Sequence, residues 1–261
     1  MAKKRAYKVA LILSDMHFPY IDLPLWELLC LFCKDLKPDL RVYDGDLFDF
    51  YQLSRFDKDP RRKGTMVAER DEAREHLYTM KKSSKAEDIF LPGNHEARLL
   101  KFLWKHDEVV EALGVGDMTW HSFLGLEDFG TVHDFEAEAY PILKLGNLKI
   151  FHGDRVNKHA VVNMVNDWQC SVLYGHSHRM RSFYKTTYDT THGAWENGYL
   201  ASTELCKQYI PGVADWQQGF SVVTYDEMSG WFHVDQVPVC KVPGKKVKRF
   251  MYGGQIYECK A

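Results

Sequence analysis

Between residues 15 and 178, five short apolar runs each end in a loop rich in oxygen and nitrogen ligands. The five loops are Asp15-Met16-His17, Gly45-Asp46-Leu47-Phe48-Asp49, Gly93-Asn94-His95-Glu96, His152-Gly153-Asp154 and Gly175-His176-Ser177-His178. Short apolar runs bounded by turn residues read as buried strands. Each cluster therefore sits just past a strand end, where residues far apart in the chain meet at one edge of a sheet. This recurrence constrains the fold more than any other feature.

The segments between the clusters fit that frame. Lys8 to Ser14 reads as a buried strand, followed by an apolar helix around Leu23 to Lys34. Asp39 to Tyr43 and Asp88 to Leu91 read as the next two strands, and Met66 to Lys82, rich in Ala, Glu, Arg and Lys, as the helix between them. A further helix is expected over His95 to His106, opening at the third cluster. Pro141 to Leu145 and Leu148 to Phe151 read as a hairpin around Gly146-Asn147, because Gly and Asn suit tight turns. Val172-Leu173-Tyr174 is a short strand. Gly219 to Tyr225 and Trp231 to Val237 are two more, joined by the turn Asp226 to Gly230. The implied fold class is α/β of a four-layer type: two packed mixed sheets forming a sandwich flanked by helices, with the ligand clusters at strand ends. Residues 1–261 are read as a single domain.

Composition sets the outer bounds. The chain has 261 residues and a formal net charge of -2, so no global field draws it to nucleic acid or membrane. No apolar run approaches the roughly 20 residues of a membrane span. Val9 to Leu13 is far too short for the core of a signal peptide. Six scattered cysteines form no scaffold pattern, which makes a reduced, cytoplasmic setting the expectation. Cys30 and Cys33 fit the buried face of a helix better than a redox or zinc pair.

The clusters carry the chemistry. Carboxylate, imidazole and amide ligands with open positions are what water-activating divalent metals require. Two ions about 3.5–4 Å apart, bridged by a carboxylate, suit hydrolysis of phosphate esters. The ordered motifs resemble the calcineurin-like metallophosphoesterase superfamily, whose pattern is Asp-x-His, Gly-Asp-x-x-Asp, Gly-Asn-His-Asp/Glu, a later His often followed by Gly, and Gly-His-x-His. All five are present in order, and the chain beyond Arg179 carries none. Any one alone is weak, because each histidine taken singly reads as an ordinary core or surface residue; the ordered set is specific.

Carried over residue by residue, the resemblance implies that Asp15, His17 and His178 bind one ion. Asp46 bridges, and Asn94, His152 and His176 complete the second site. It implies that His95 faces the substrate to protonate the leaving alkoxide or stabilise the transition state, with Asp49 orienting it. The expected cofactors are two divalent ions, Mn²⁺ foremost, with Fe or Zn²⁺ as alternatives. Glu96 is read as an acceptor of backbone N–H bonds at a helix start. Asp154 is either a partner of a ligand or a turn residue. His192 is the one remaining histidine placed near the motif region.

Substrate choice must come from outside the motifs. Arg55, Arg61 and Arg62, in the segment Tyr51 to Thr65, are the candidate substrate contacts, for a nucleotide or a nucleic-acid backbone. A solvated loop is the plainer reading. The segment Asp107 to Tyr140 mixes aromatics with many acids and reads as a lid or as peripheral packing. Lys241 to Arg249 reads as a solvated basic run, with phosphate-bearing partners as the alternative.

The functional expectation is metal-dependent phosphate-ester hydrolysis without a covalent protein intermediate, most simply by a phosphodiesterase or nuclease acting on nucleotides or DNA. The alternatives are a phosphomonoesterase and a non-catalytic scaffold on the same fold. Asp49 is followed by Phe50-Tyr51 rather than the Arg-Gly of protein phosphatases. The chain carries His95 where lipid A pathway pyrophosphatases usually have Arg. Both branches are disfavoured.

Overall fold

The computed structural model describes residues 6–55, 57–58, 63–115, 118–136, 139–203 and 214–261. β1 (Lys8–Leu13) leads through α1 (Leu23–Leu36) to β2 (Leu40–Asp44), and α2 (Met66–Ser83) leads to β3 (Glu87–Leu91). α3 (Glu96–Lys105), α4 (Asp107–Ala112), α5 (Trp120–Leu124) and β4 (Thr131–Val132) follow. The second half holds β5 (Leu143–Leu145), β6 (Leu148–Ile150), α6 (Ala160–Trp168), β7 (Ser171–Tyr174), β8 (Met180–Thr186) and β9 (Thr191–Asn197). It closes with β10 (Gly219–Tyr225), β11 (Phe232–Pro238), β12 (Cys240–Lys241), β13 (Val247–Tyr252) and β14 (Gln255–Lys260).

Two mixed sheets form the centre, in the orders β11-β10-β1-β2-β3-β4 and β5-β6-β7-β9-β8. β1 to β4 run parallel, as do β6, β7 and β9, so their carboxyl ends gather their loops together. Strand periodicity explains the layering. Ala10, Ile12, Val42 and Ile89 share one core with Leu148, Ile150, Leu173 and Trp195, between the sheets. Val9, Leu11 and Leu13 point the other way, into a core with Leu25, Leu29 and Phe32 of α1 and Leu77 of α2. On the outer face of the second sheet, Val161, Met164 and Val165 of α6 cover Val172 and Tyr174. The expected four layers, helix on sheet on sheet on helix, are what the side chains build.

The expected hairpin forms in register Leu145↔Leu148, with Gly146 at φ 60 supplying the positive dihedral. β10 and β11 pair antiparallel through the turn at Asp226 to Gly230, where Asp226 accepts from the Met228 N–H and the Ser229 hydroxyl. A third sheet, β12-β13-β14, was not anticipated. It packs on α1, where Phe32 meets Phe250 and Tyr257 at ring-centroid distances of 5.3 and 5.1 Å. The reading of Lys241 to Arg249 as a solvated run holds for Lys241, Lys245 and Lys246, which are exposed, but not for the two cations on β13. Lys248 is buried against Asp22, and Arg249 pairs with Glu258 across the β13–β14 ladder. Lys248 and Arg249 serve the fold.

The segment 107–140 packs peripherally in large part. Trp120, Leu124, Leu126 and Phe129 enter the α1/α2 core, and β4 extends the first sheet beside β3. Three of its acids have structural partners: Glu127 and Asp134 flank His121, and Asp128 pairs with Arg74. Under α2, Arg41 is fully buried in a fork–fork pair with Asp88 (2.6 and 2.8 Å), with Tyr43 donating to the same carboxylate. Such a pair locates elements rather than adding net stability, and breaking it would strand a buried charge. Cys33 is buried as expected, while burial pushes the Cys30 thiol up to about 12, far from a reactive thiolate.

Candidate metal centre

Three of the ligand-bearing loops, those after β1, β2 and β7, leave their strands through strained backbone. Asp15, His17, Asp46, His176 and His178 all have positive φ, between 47 and 66. Non-glycine residues in this region cost on the order of 1 kcal/mol or more each, and they cluster where surrounding structure holds them for function. The loops after β1 and β2 are zipped together: the His17 N–H donates to Asp46 O at 2.9 Å and the Asp49 N–H to Phe18 O at 3.0 Å. The Asp15 carboxylate accepts from the His176 N–H at 3.0 Å, joining the two sheets' loops.

Close backbone approach explains the glycines. Any side chain at Gly93 would overlap the Asp46 carboxylate, and one at Gly45 would overlap the His152 ring. The Gly-Asp and Gly-Asn pairs are thus steric requirements of the site.

Two ligand sets converge, and they share Asp46. In the first, His178 Nε2 lies 3.0 Å from Asp15 Oδ1 and 3.0 Å from His17 Nε2. His17 Nε2 is in turn 3.9 Å from both Asp15 Oδ1 and Asp46 Oδ2. In the second, His152 Nε2 lies 3.3 Å from the same Asp46 Oδ2, with His176 completing the group. The ligand atoms within each set lie within 4.8 Å of one another, and Asp15, His17, Asp46 and His152 are buried.

The donor set suits divalent ions. His152 Nδ1 is 2.9 Å from Asp44 O; donating there leaves Nε2 with its lone pair aimed inward, buried and without a partner. Asn94 Oδ1 is also buried and without a partner. Asn94 and His176 line one cleft beside the second set. Burial alone would raise Asp46, but His152, His95 and His17 hold its carboxyl well below the usual range. Burial opposes charge on His152 too, yet Asp46, Asp15 and Asp44 hold it well above the usual imidazole value. The acids thus need cationic neighbours in so buried a place, and ions there would take over from imidazole protons.

His95 sits at the rim. Its Nδ1 is 2.7 Å from the Asp49 backbone carbonyl and 3.6 Å from Asp49 Oδ1. The orienting partner is therefore the carbonyl of Asp49. Its carboxylate stands between two rings, 3.5 Å from His17 Nδ1. Arg98, which the sequence reading missed, donates to His95 Nε2 at 2.8 Å and to the Asp49 carbonyl at 2.8 Å. Burial, with the His17 and Arg98 charges, pushes His95 down to about 3 against the pull of Asp46.

Two buried glutamates hold the loops. Glu96 Oε2 accepts from the N–H groups of Asp46 (3.0 Å) and Gly93 (2.7 Å), and Oε1 from Phe48 (3.1 Å). The expectation of a backbone acceptor is right in kind, but its reach extends to the loop after β2. Glu69 Oε1 alone accepts from Asp49 and Phe50, at 2.7 and 2.8 Å. No local pattern in α2 marks Glu69 for this role.

Asp154 is exposed at a bend in the chain. His192 lies on β9 opposite Lys185, at the strand's far end from Asn197. Arg55 lines the same cleft as Asn94 and His176, while Arg61 and Arg62 lie outside the described residues. His178 is flanked by the rings of Trp216 and Tyr199, at 4.3 and 5.4 Å.

No protein-family model matches the chain. It is 25% identical over 264 aligned positions to the Gene 54 protein of Mycobacterium phage L5, covering 96% of this chain and 99% of that one. Among solved structures it overlays the metallophosphoesterase from Sphaerobacter thermophilus with TM-score 0.43 and 12% identity, over 88% of each chain. It overlays Vps29 of Entamoeba histolytica complexed with Zn²⁺ with TM-score 0.41 and 14% identity, over 97% of this chain and 98% of that one. Chaetomium thermophilum Vps29 bound to a cyclic peptide gives TM-score 0.45 and 11% identity, over 98% of each chain.

Proposed function

We propose that this chain is a two-metal phosphoesterase that hydrolyses phosphodiesters of nucleotides or DNA. The observation that carries the reading is Asp46 Oδ2, one carboxylate oxygen lying 3.9 Å from His17 Nε2 and 3.3 Å from His152 Nε2. A single oxygen between two convergent ligand sets is what a bridged ion pair needs. The ordered motifs, which resemble calcineurin-like metallophosphoesterases, support the same reading.

Asp15, His17, Asp46 and His178 would hold one ion, and Asp46, Asn94, His152 and His176 the other. The imidazole and amide donors favour Mn²⁺, Fe or Zn²⁺ over Mg²⁺ or Ca²⁺, and Mn²⁺ is our choice. When bound, the ions would acidify a water and offset charge on the phosphoryl oxygens.

The chain's own groups do the rest. The N-terminus of α3 and the Arg98 guanidinium present positive potential to an arriving phosphate. His95 keeps Nδ1 on the Asp49 carbonyl and Nε2 towards the rim, where the leaving oxygen takes a proton. That step needs the imidazolium form. The negative phosphate, and transfer of the Arg98 hydrogen bond from Nε2 to a phosphoryl oxygen, both favour it. Asp49, close to His17 Nδ1, fixes the ring of a ligand.

No described helix is long and apolar enough to cross a membrane. Cys30, Cys33, Cys170, Cys240 and Cys259 are unpaired, which supports a cytoplasmic setting.

The test is a metal-resolved assay with bis-p-nitrophenyl phosphate and its mono-ester, using Mn²⁺, Zn²⁺ and Fe²⁺ in turn. Hydrolysis of the diester in preference to the mono-ester, with two ions bound per chain, is the expected result. Preference for the mono-ester would overturn the diesterase assignment. No turnover with any metal would overturn the phosphoesterase reading and favour a binding role.

A further inference from the structure

Outward from the second ligand set runs a cleft of about 680 Å³ with Asn94 and His176 at its inner end. Its walls carry Arg55, Lys58, Arg98, Lys101 and Lys105, and no carboxylate lines it among the described residues. In a chain of net charge -2, five cations around one opening are a local concentration. Their arrangement is set by helix geometry. Arg98, Lys101, Phe102 and Lys105 recur at i, i+3, i+4 and i+7 on α3, so all four share one face, while Leu99 and Leu103 turn to the core.

The cleft also holds an exposed aromatic. Phe102 is 43% exposed in the midst of the cations, and its ring lies against that of His106 at 4.6 Å. A cationic track with one open aromatic face is the arrangement that holds a single strand: ammonium and guanidinium groups follow the phosphates, and a base stacks on the ring. A duplex offers no unstacked base to that ring. The helix adds direction, because α3 points its N-terminus at the ligand sets and its Lys105 end away from them.

We infer that the substrate is single-stranded nucleic acid, bound along the Arg98–Lys101–Lys105 face of α3 with one base on Phe102. The phosphate to be cut is then delivered to the Asn94–His176 side of the centre. This rests on the phosphodiesterase reading above and adds to it the form of the substrate and the surface that selects it.

Binding can be read apart from turnover. The probe is a fluorescein-labelled oligothymidylate of about 12 nucleotides with hydrolysis-resistant phosphorothioate linkages, titrated with metal-loaded protein and followed by anisotropy. A matching oligouridylate and a duplex of equal length form the other arms. Single strands of either kind should bind more tightly than duplex.

Lys101→Ala/Lys105→Ala should lower the dependence of log affinity on log salt by about 1.4, at roughly 0.7 per phosphate contact on a single strand. Phe102→Ala should weaken single-strand binding about tenfold while leaving duplex binding as it was. Unchanged melting temperatures show that the variants fold. Duplex binding as tight as single-strand binding, or variants indistinguishable from the parent, would overturn the inference. Hydrolysis of bis-p-nitrophenyl phosphate by the parent protein reads the catalytic proposal alone, so the two fail separately.

Discussion

The metal centre and the α3 cleft adjoin through Asn94 and His176, yet they are built by opposite rules. The centre is buried, and its loops leave their strands through left-handed residues at Asp15, His17 and Asp46. The cleft is open, lined by long side chains on a regular helix, with Lys101 and Lys105 exposed. A buried polar site tolerates little displacement, because every group is held by another and none can turn to water. An exposed cationic wall tolerates much, since each side chain acts mainly through its charge. Substitutions in the centre should therefore act steeply and jointly. Those in the cleft should act shallowly and separately.

The largest effect is expected at the shared oxygen. Asp46→Ala removes a ligand from both sets, and loss of several kcal/mol of transition-state stabilisation means about a thousandfold or more in turnover. Metal content should fall below two ions per chain, and atomic emission on dialysed protein checks it. A variant that keeps both ions and full turnover would show that the two ligand sets do not share Asp46.

Next comes a residue with no functional group. Gly93→Ala drives a methyl into the Asp46 carboxylate, so the loop must move. Overpacking of this kind costs about 1–3 kcal/mol in stability, and a displaced ligand should cost about a hundredfold in kcat/KM. Thermal melts and metal-dependent turnover measure the two separately. Lys101→Ala in the cleft, by contrast, removes one exposed charge and should show a far smaller loss of folding stability.

The same contrast decides what was legible in the sequence. Ligands at strand ends announce themselves because loop geometry demands particular residues, so Asp15-x-His17 and Gly93-Asn94-His95 stand out as strings. Arg98, Lys101 and Lys105 form no string. They become a surface only once α3 is placed with its N-terminus on the site, although their i, i+3, i+7 spacing after the third cluster was a usable signal. β13 and β14 escaped notice because Val247 to Lys260 shows no clean alternation, with Lys248 buried while Met251 and Ile256 are exposed, and their core partner, Phe32, lies more than two hundred residues away. Glu69 was beyond reach for a related reason: nothing in α2 distinguishes a glutamate that holds a distant loop from one facing solvent.

Glu96 and Glu69 sharpen the rule within the buried region. Glu96 uses both oxygens to hold three N–H groups. Glu96→Gln must turn an amide NH₂ towards at least one of those donors, leaving it unmatched. Ten- to hundredfold weaker metal binding is expected, the usual range for a partner one step behind the ligands. Isothermal titration with Mn²⁺ measures it, and unchanged affinity would show that the loop after β2 holds its shape without Glu96.

Glu69 should behave differently, because a single oxygen serves both of its donors. Glu69→Gln keeps that carbonyl in place and should leave turnover at neutral pH within about twofold, since no buried N–H is stranded. Its signature lies in stability against pH. Burial, aided by the Asp49 and Glu96 charges, raises the Glu69 carboxyl from 4.5 to about 8 against the pull of the Phe50 and Asp49 N–H groups. A carboxyl raised by folding favours the folded state in its protonated form. Its contribution is full below about pH 4.5 and is lost as pH rises through about 8. The parent protein should therefore lose stability between pH 6 and 9 by an amount on the order of 2 kcal/mol from this group. The glutamine variant, neutral throughout, should show a flatter melting-temperature profile over that window. Parallel profiles for the two proteins would mean that Glu69 is already ionised in the fold, and that its two N–H bonds outweigh the cost of its burial.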